Sequence, residues 1–203
     1  MFQTDFFSYL QLGLRHIADV QGYDHILFVT ALAAMYEWHD WKRLLWLITA
    51  FTLGHSLTLA LSTLNILSFS SELIEFCIPL TIFCTAWVNI ATLRTESSTQ
   101  SLSLSPLQER SKYAMALFFG FIHGMGFSTF LKSLLGKETN IVLPLFAFNL
   151  GLEAGQILII MVILLLTMLM VKVARLRPRD WSLVLSGAAL GIALTLMLKT
   201  FPS

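Results

Sequence analysis

Charge is what this chain has least of. Only 12% of its 203 residues are Asp, Glu, Lys or Arg, against 56% hydrophobic residues and a mean hydropathy of +0.75. So little charge and so much apolar surface exclude an ordinary soluble domain and point to a polytopic membrane protein. The net charge of +1 argues against a nucleic-acid partner, which needs a basic face. Cysteine is scarce too: Cys77 and Cys84, seven residues apart on one apolar segment, are too far along it for an easy disulfide and read as packed small hydrophobes. Neither HExxH nor GxSxG occurs, and no internal repeat is strong enough to imply inverted symmetry.

The N-terminus also lacks the pattern of a cleaved signal peptide, because Asp5, Arg15 and Asp19 interrupt it and no basic stretch precedes an unbroken apolar core. Residues 1–20 read instead as an interfacial helix with Phe6, Phe7, Leu10, Leu12 and Leu14 supplying its apolar character. A bilayer needs about 20 mostly apolar residues per helix. Six spans satisfy that pattern: Gln21 to Trp38, Arg43 to Leu64, Glu72 to Leu93, Tyr113 to Leu135, Ile141 to Val171 and Ser182 to Thr200. The expected fold is thus all-α, a polytopic helical membrane bundle of six transmembrane helices plus the interfacial helix, with residues 1–203 forming a single domain. Residues 95–112, rich in Ser, Thr and Gln and carrying Pro106, read as a flexible cytoplasmic loop.

Lys42 and Arg43, then Arg94, Arg110 and Lys112, then Lys172, Arg175, Arg177 and Arg179 fall in the loops after the first, third and fifth spans. Arg15, Lys132, Lys137 and Lys199 lie opposite. The Lys/Arg excess of cytoplasmic loops therefore places both termini on the non-cytoplasmic side of a bacterial inner membrane.

Against this apolar background the ionisable residues stand out. A charged side chain at the centre of a bilayer costs roughly 2.5–3.5 kcal/mol even on the lenient insertion scale. Asp24 and His25 nevertheless open the first span, His55 and Ser56 interrupt the second, His123 the fourth and Glu153 the fifth. At 1.5 Å per residue, His55 and His123 lie roughly 17 Å from the basic side, and Glu153 reaches a comparable level from the other. Asp24, His25 and Glu75 lie nearer the outer ends. Thr49, Thr52 and Ser56 form one polar stripe, and Asn149, Glu153 and Gln156 another at i, i+4 and i+7. Glu75 and Asn89 point within about 40° of each other. Such faces should look into the bundle. The spacings Gly120/Gly124, Gly151/Gly155 and Gly187/Gly191 permit close helix contact, and are expected to draw the fourth and fifth spans together with His123 and Glu153 near their contact.

Four ordered runs, GLRHIADVQGYDHILF, FTLGHSLTLAL, FGFIHGMGFS and FNLGLEAGQ, resemble the successive motifs of the HupE/UreJ family, integral membrane proteins associated with nickel hydrogenase and urease systems. The resemblance runs from about residue 10 to 160. It implies a six-span inner-membrane protein that moves nickel or a similar divalent metal. The motif positions are His16, Gly22, Asp24, His25, His55, Ser56, His123, Gly124, Asn149, Glu153 and Gln156. Many relatives carry an additional region before the first span, where residues 1–20 here read as the interfacial helix alone.

The chemistry of the residues points to a metal independently. Neutral imidazole ligates Zn, Ni, Cu and Fe, and carboxylates compensate the charge. The expected ligands are Asp24, His25, His55, His123 and Glu153, with His16, Ser56, Glu75, Asn149 and Gln156 as a supporting polar shell. His16, on the interfacial segment, is the weaker member of that shell, and His39 reads as a solvated surface residue. Nickel, zinc, cobalt and copper all suit such donors, and maturation proteins of metalloenzymes or self-association are the partners besides lipid and metal. Transport is the leading function. The alternatives are a membrane-embedded metal-dependent hydrolase, with Asp24 or Glu153 as base and Ser56 assisting, and an accessory or structural protein whose buried polar network fixes packing.

Overall fold

The structure is a computed structural model that describes residues 2–95, 106–135 and 141–202. Within them lie α1 (Phe2–Ile17), α2 (Asp24–Ala33), α3 (Trp41–Thr63), α4 (Ser71–Thr95), α5 (Pro106–Leu135), α6 (Val142–Met168) and α7 (Pro178–Lys199), and no strand. It is a helical membrane bundle. The helices α3 to α7 are each long and apolar enough to cross a bilayer, and α6 continues through a wider turn at Leu169–Val173, reaching about 48 Å. Leu53, Leu57, Phe118, Leu158, Met161 and Val184 are exposed along these helices, as a lipid-facing surface requires.

Two boundaries differ from the sequence-based expectation. The first span is a ten-residue helix, about 15 Å long, which cannot cross the hydrocarbon alone. Its apolar continuation is used in a turn: Tyr36 N–H bonds back to the Ala33 carbonyl, and Met35 and Tyr36 are buried without being helical. Conversely, α5 starts at Pro106, inside the expected loop. Proline suits a first helical turn, where its missing N–H costs nothing, and Glu109 in that turn pairs with Arg43 at 3.0 Å. The loop residues 96–105 and Lys137 lie outside the described residues.

Glycine decides which helices pair. A Cβ at Gly54 would overlap the Leu117 carbonyl, and one at Gly120 the Phe51 carbonyl, so α3 and α5 touch backbone to backbone. Gly13 against Phe148 and Gly151 against Leu10 seat α1 on α6 in the same way. Each pair runs parallel. On α5, Gly120 faces Phe51 while Gly124 faces His55; on α6, Gly151 faces Leu10 while Gly155 faces Ile17. The expectation that glycines join the fourth and fifth spans is therefore replaced: α5 uses its glycines on α3, and α6 uses its own on α1. Gly120→Ala is expected to lower stability by about 1–3 kcal/mol, because the backbone it meets cannot yield. Gly187→Ala, whose Cβ meets nothing within 4 Å, should be neutral or slightly stabilising, and thermal unfolding in detergent compares the two.

The short helix α2 lies in the middle. It packs against α4, α6 and α7, with Phe28, Val29, Ala31, Leu32 and Ala33 buried. This places the first turn of α2, Asp24 and His25, at the junction of all the other elements.

A candidate metal centre of converging imidazoles

Four histidines from four helices meet at the start of α2. The ring of His25 lies 4.6 Å from that of His16 on α1, 5.1 Å from His123 on α5 and 6.0 Å from His55 on α3, centre to centre. His16 and His55 are 6.2 Å apart. Imidazoles holding one ion at about 2.0–2.1 Å from nitrogen have ring centres on the order of 5 Å apart. Phe28 and Phe51 lie against His123 at 5.0 and 5.2 Å, an aromatic layer that keeps water from that side.

The glycine seats explain the convergence. Backbone contact between α3 and α5 brings His55 and His123 to one level, since Gly124, beside His123, rests on the His55 carbonyl. The α1–α6 seat carries His16 inward. Asp24 starts α2 and lies 3.3 Å from His25 Nδ1, with its side chain 27% exposed where that of His25 is 5%. One donor each from Asp24, His25 and His123 falls within 4.8 Å of the others.

Hydrogen bonding sets which nitrogen of each ring is available. The Thr81 hydroxyl donates to the Ile78 carbonyl at 2.7 Å, so its oxygen is left to accept from His123 Nε2–H at 2.9 Å. That assigns the tautomer and leaves His123 Nδ1 with a free lone pair. By the same logic the Asp24 carboxylate takes the proton side of His25 Nδ1, leaving Nε2 bare. Carboxylate and hydroxyl partners behind ligating histidines are the usual way such rings are oriented. Among the described residues, the buried ring nitrogens without a partner are His16 Nε2, His25 Nε2, His123 Nδ1 and both nitrogens of His55, five in all. Buried polar atoms are normally satisfied. Four neighbouring rings, each with an unpartnered nitrogen and with centres 4.6 to 6.2 Å apart, fit a divalent cation.

The other expected residues take different places. Glu153 does not join the Asp24, His25, His123 group; its carboxylate accepts from the Thr49 hydroxyl at 2.8 Å. One turn on, Gln156 accepts from Thr52 at 2.8 Å, so the two polar stripes read from the sequence zip α3 to α6. Ser56 donates to the Thr52 carbonyl of its own helix at 2.6 Å. The Asn149 carbonyl oxygen and Gln156 Nε2 are buried without a partner. Glu75 is exposed and shares a cavity with Asp24. His16, expected as the weaker member of the supporting shell, has its ring inside the cluster, against Phe127 at 3.8 Å. His39, by contrast, is 72% exposed at the side chain. Thr81 was not singled out from sequence, although Thr81, Thr85 and Asn89 repeat every four residues as one polar stripe on α4.

The sequence profile described as HupE / UreJ protein matches residues 1–200. The chain belongs to the HupE / UreJ family. The match takes in every element that brings a histidine to the cluster, and it agrees with a multi-pass membrane protein built around α3 to α7. No curated protein and no solved structure matches the chain.

Proposed function

We propose that this HupE / UreJ protein binds a divalent transition-metal ion at the imidazole cluster and carries it across the bacterial inner membrane, with both termini on the non-cytoplasmic side. One observation carries the reading: five buried ring nitrogens without partners, on four histidines from four helices. The metal is cargo. His16 Nε2, His25 Nε2, His123 Nδ1 and a nitrogen of His55 would receive it, and Asp24 would offset its charge. Nickel, cobalt, zinc and copper all accept such donors, and the family resemblance favours nickel. A cargo site belongs near the middle of the membrane, reachable from one side at a time. The Asp24 side of the cluster adjoins a cavity of about 220 Å³, and the Phe28 and Phe51 side is closed by packed rings.

The test is titration of purified, metal-stripped protein with Ni²⁺, followed by flux into proteoliposomes. One ion per chain is expected. At a free concentration of about 100 times Kd the ion should add about 2.7 kcal/mol of stability, which chelation removes. His55→Ala is expected to abolish flux. Failure to bind any of the four metals sinks the proposal. Tight binding without flux moves it to the hydrolase reading, to which Ser56 adds little while its hydroxyl is held by the Thr52 carbonyl.

A further inference from the structure

Glu75 occupies a position that the cluster itself does not explain. It has no hydrogen bond or ion pair among the described residues, it is exposed, and it lies one helical turn before Ile78 at the end of the bundle where α4 begins. Glu75 lines two cavities. One, about 220 Å³, is lined by Gln21, Tyr23, Asp24, Glu75 and Thr200. The other, about 390 Å³, is lined by Ser62, Ser68, Ser71, Glu75, Ser128 and Lys132. Glu75 is in both walls, and Asp24, in the wall of the first cavity, lies 3.3 Å from His25 Nδ1. The second cavity is wet in character, with hydroxyls from three separate segments; the first is more apolar and carries two carboxylates.

A carboxylate lining two clefts with low-dielectric walls concentrates cations there, because field lines are confined to the narrow aqueous space. Lys132 in the outer wall acts in the opposite sense. Resting on the metal-binding reading above, we infer that Glu75 is the capture residue of the approach to the cluster: a hydrated divalent cation gathers in the larger, hydroxyl-lined cavity, is drawn past Lys132 by Glu75, and is handed to Asp24 and His25 through the smaller one. Glu75 is not a ligand of the bound ion. It sets the rate of arrival and departure, and leaves the affinity to the imidazoles. A residue that acts only on the path changes both directions equally, since the two ends of the path keep their free energies.

The experiment uses the full chain in detergent with Co²⁺ alone as the probe, at low ionic strength. Stopped-flow with a fluorescent indicator of free metal reads the rates, and calorimetry reads Kd. Glu75→Gln is expected to slow binding and release together by about three- to tenfold, with Kd changed by less than about twofold. Lys132→Gln, which removes the opposing charge, should speed both by about two- to fivefold, a gain that damaged folding does not produce. Both effects should shrink at high salt, where the Debye length falls to about 3 Å near 1 M. Wild-type rates in both variants, or a raised Kd in Glu75→Gln at an unchanged binding rate, overturn the inference while the metal site stands. A wild-type protein that takes up no Co²⁺ overturns the site and the approach together.

Discussion

His25→Ala is expected to weaken metal binding by at least about a hundredfold, more than the 10–100-fold that loss of an orienting partner costs. His25 is the hub of the cluster: its ring is the one within about 6 Å of each of the other three, and it alone is braced by Asp24. His123→Ala should match it. The tautomer assignment gives a finer test. Thr81→Val removes the oxygen that accepts from His123 Nε2–H, so the proton is no longer held on that nitrogen and Nδ1 is no longer guaranteed bare. Its expected effect is about 10–100-fold in affinity without loss of any ligand. His39→Ala, on an exposed side chain, should bind as wild type. Calorimetric titration of the four variants separates these outcomes, and a His25→Ala protein with wild-type affinity removes the cluster as the binding site.

The five long helices were legible because their apolar runs exceed what a soluble element needs. The first span was not, and the reason lies in what hydropathy measures. Most of residues 25–36 are buried, yet the α-helix covers only 24–33; Met35 and Tyr36 fill the core from a turn. Hydropathy reports the environment of a residue and not its backbone. The glycine pairs were legible as close approaches, but a small residue does not name its neighbour, and Gly13, the partner of Phe148, is a single glycine in an amphipathic helix.

The site was legible in kind. Asp24, His25 and His123 could be chosen by the cost of placing them in hydrocarbon, and depth alone brought His55 to their level. His16 could not be weighed in that way, because an amphipathic segment ending in Arg15 and His16 reads as hydrated until its packing on α6 is seen. Glu153 illustrates the converse. Depth and helical phase put it at the right level, but sequence does not say that Thr49 stands ready to bond it.

Asn89→Leu is expected to cost about 3 kcal/mol or more of stability. The need arises from the shortness of α2. A helix leaves its last four carbonyls without intrahelical partners, and α2 ends inside the bundle, where water does not reach them. Asn89, fully buried, donates to the Ala31 carbonyl at 2.7 Å and to Ser186 at 3.4 Å, while its own oxygen accepts from Lys112 Nζ at 3.0 Å. Lys112 also lies over the Tyr36 ring at 5.2 Å, so one amide ties α2, α4, α5 and α7 together. Leucine fills the space but makes none of these bonds. Asn89→Asp keeps an acceptor for Lys112 and loses the donor to Ala31, so its cost should be smaller than that of leucine. Because α2 carries His25 at its other end, loosening the latch should also weaken metal binding, though by less than about tenfold, since no ligand is lost. Thermal unfolding in detergent with and without Co²⁺ reads both quantities. A wild-type midpoint for Asn89→Leu would mean that α2 is held by its apolar packing alone.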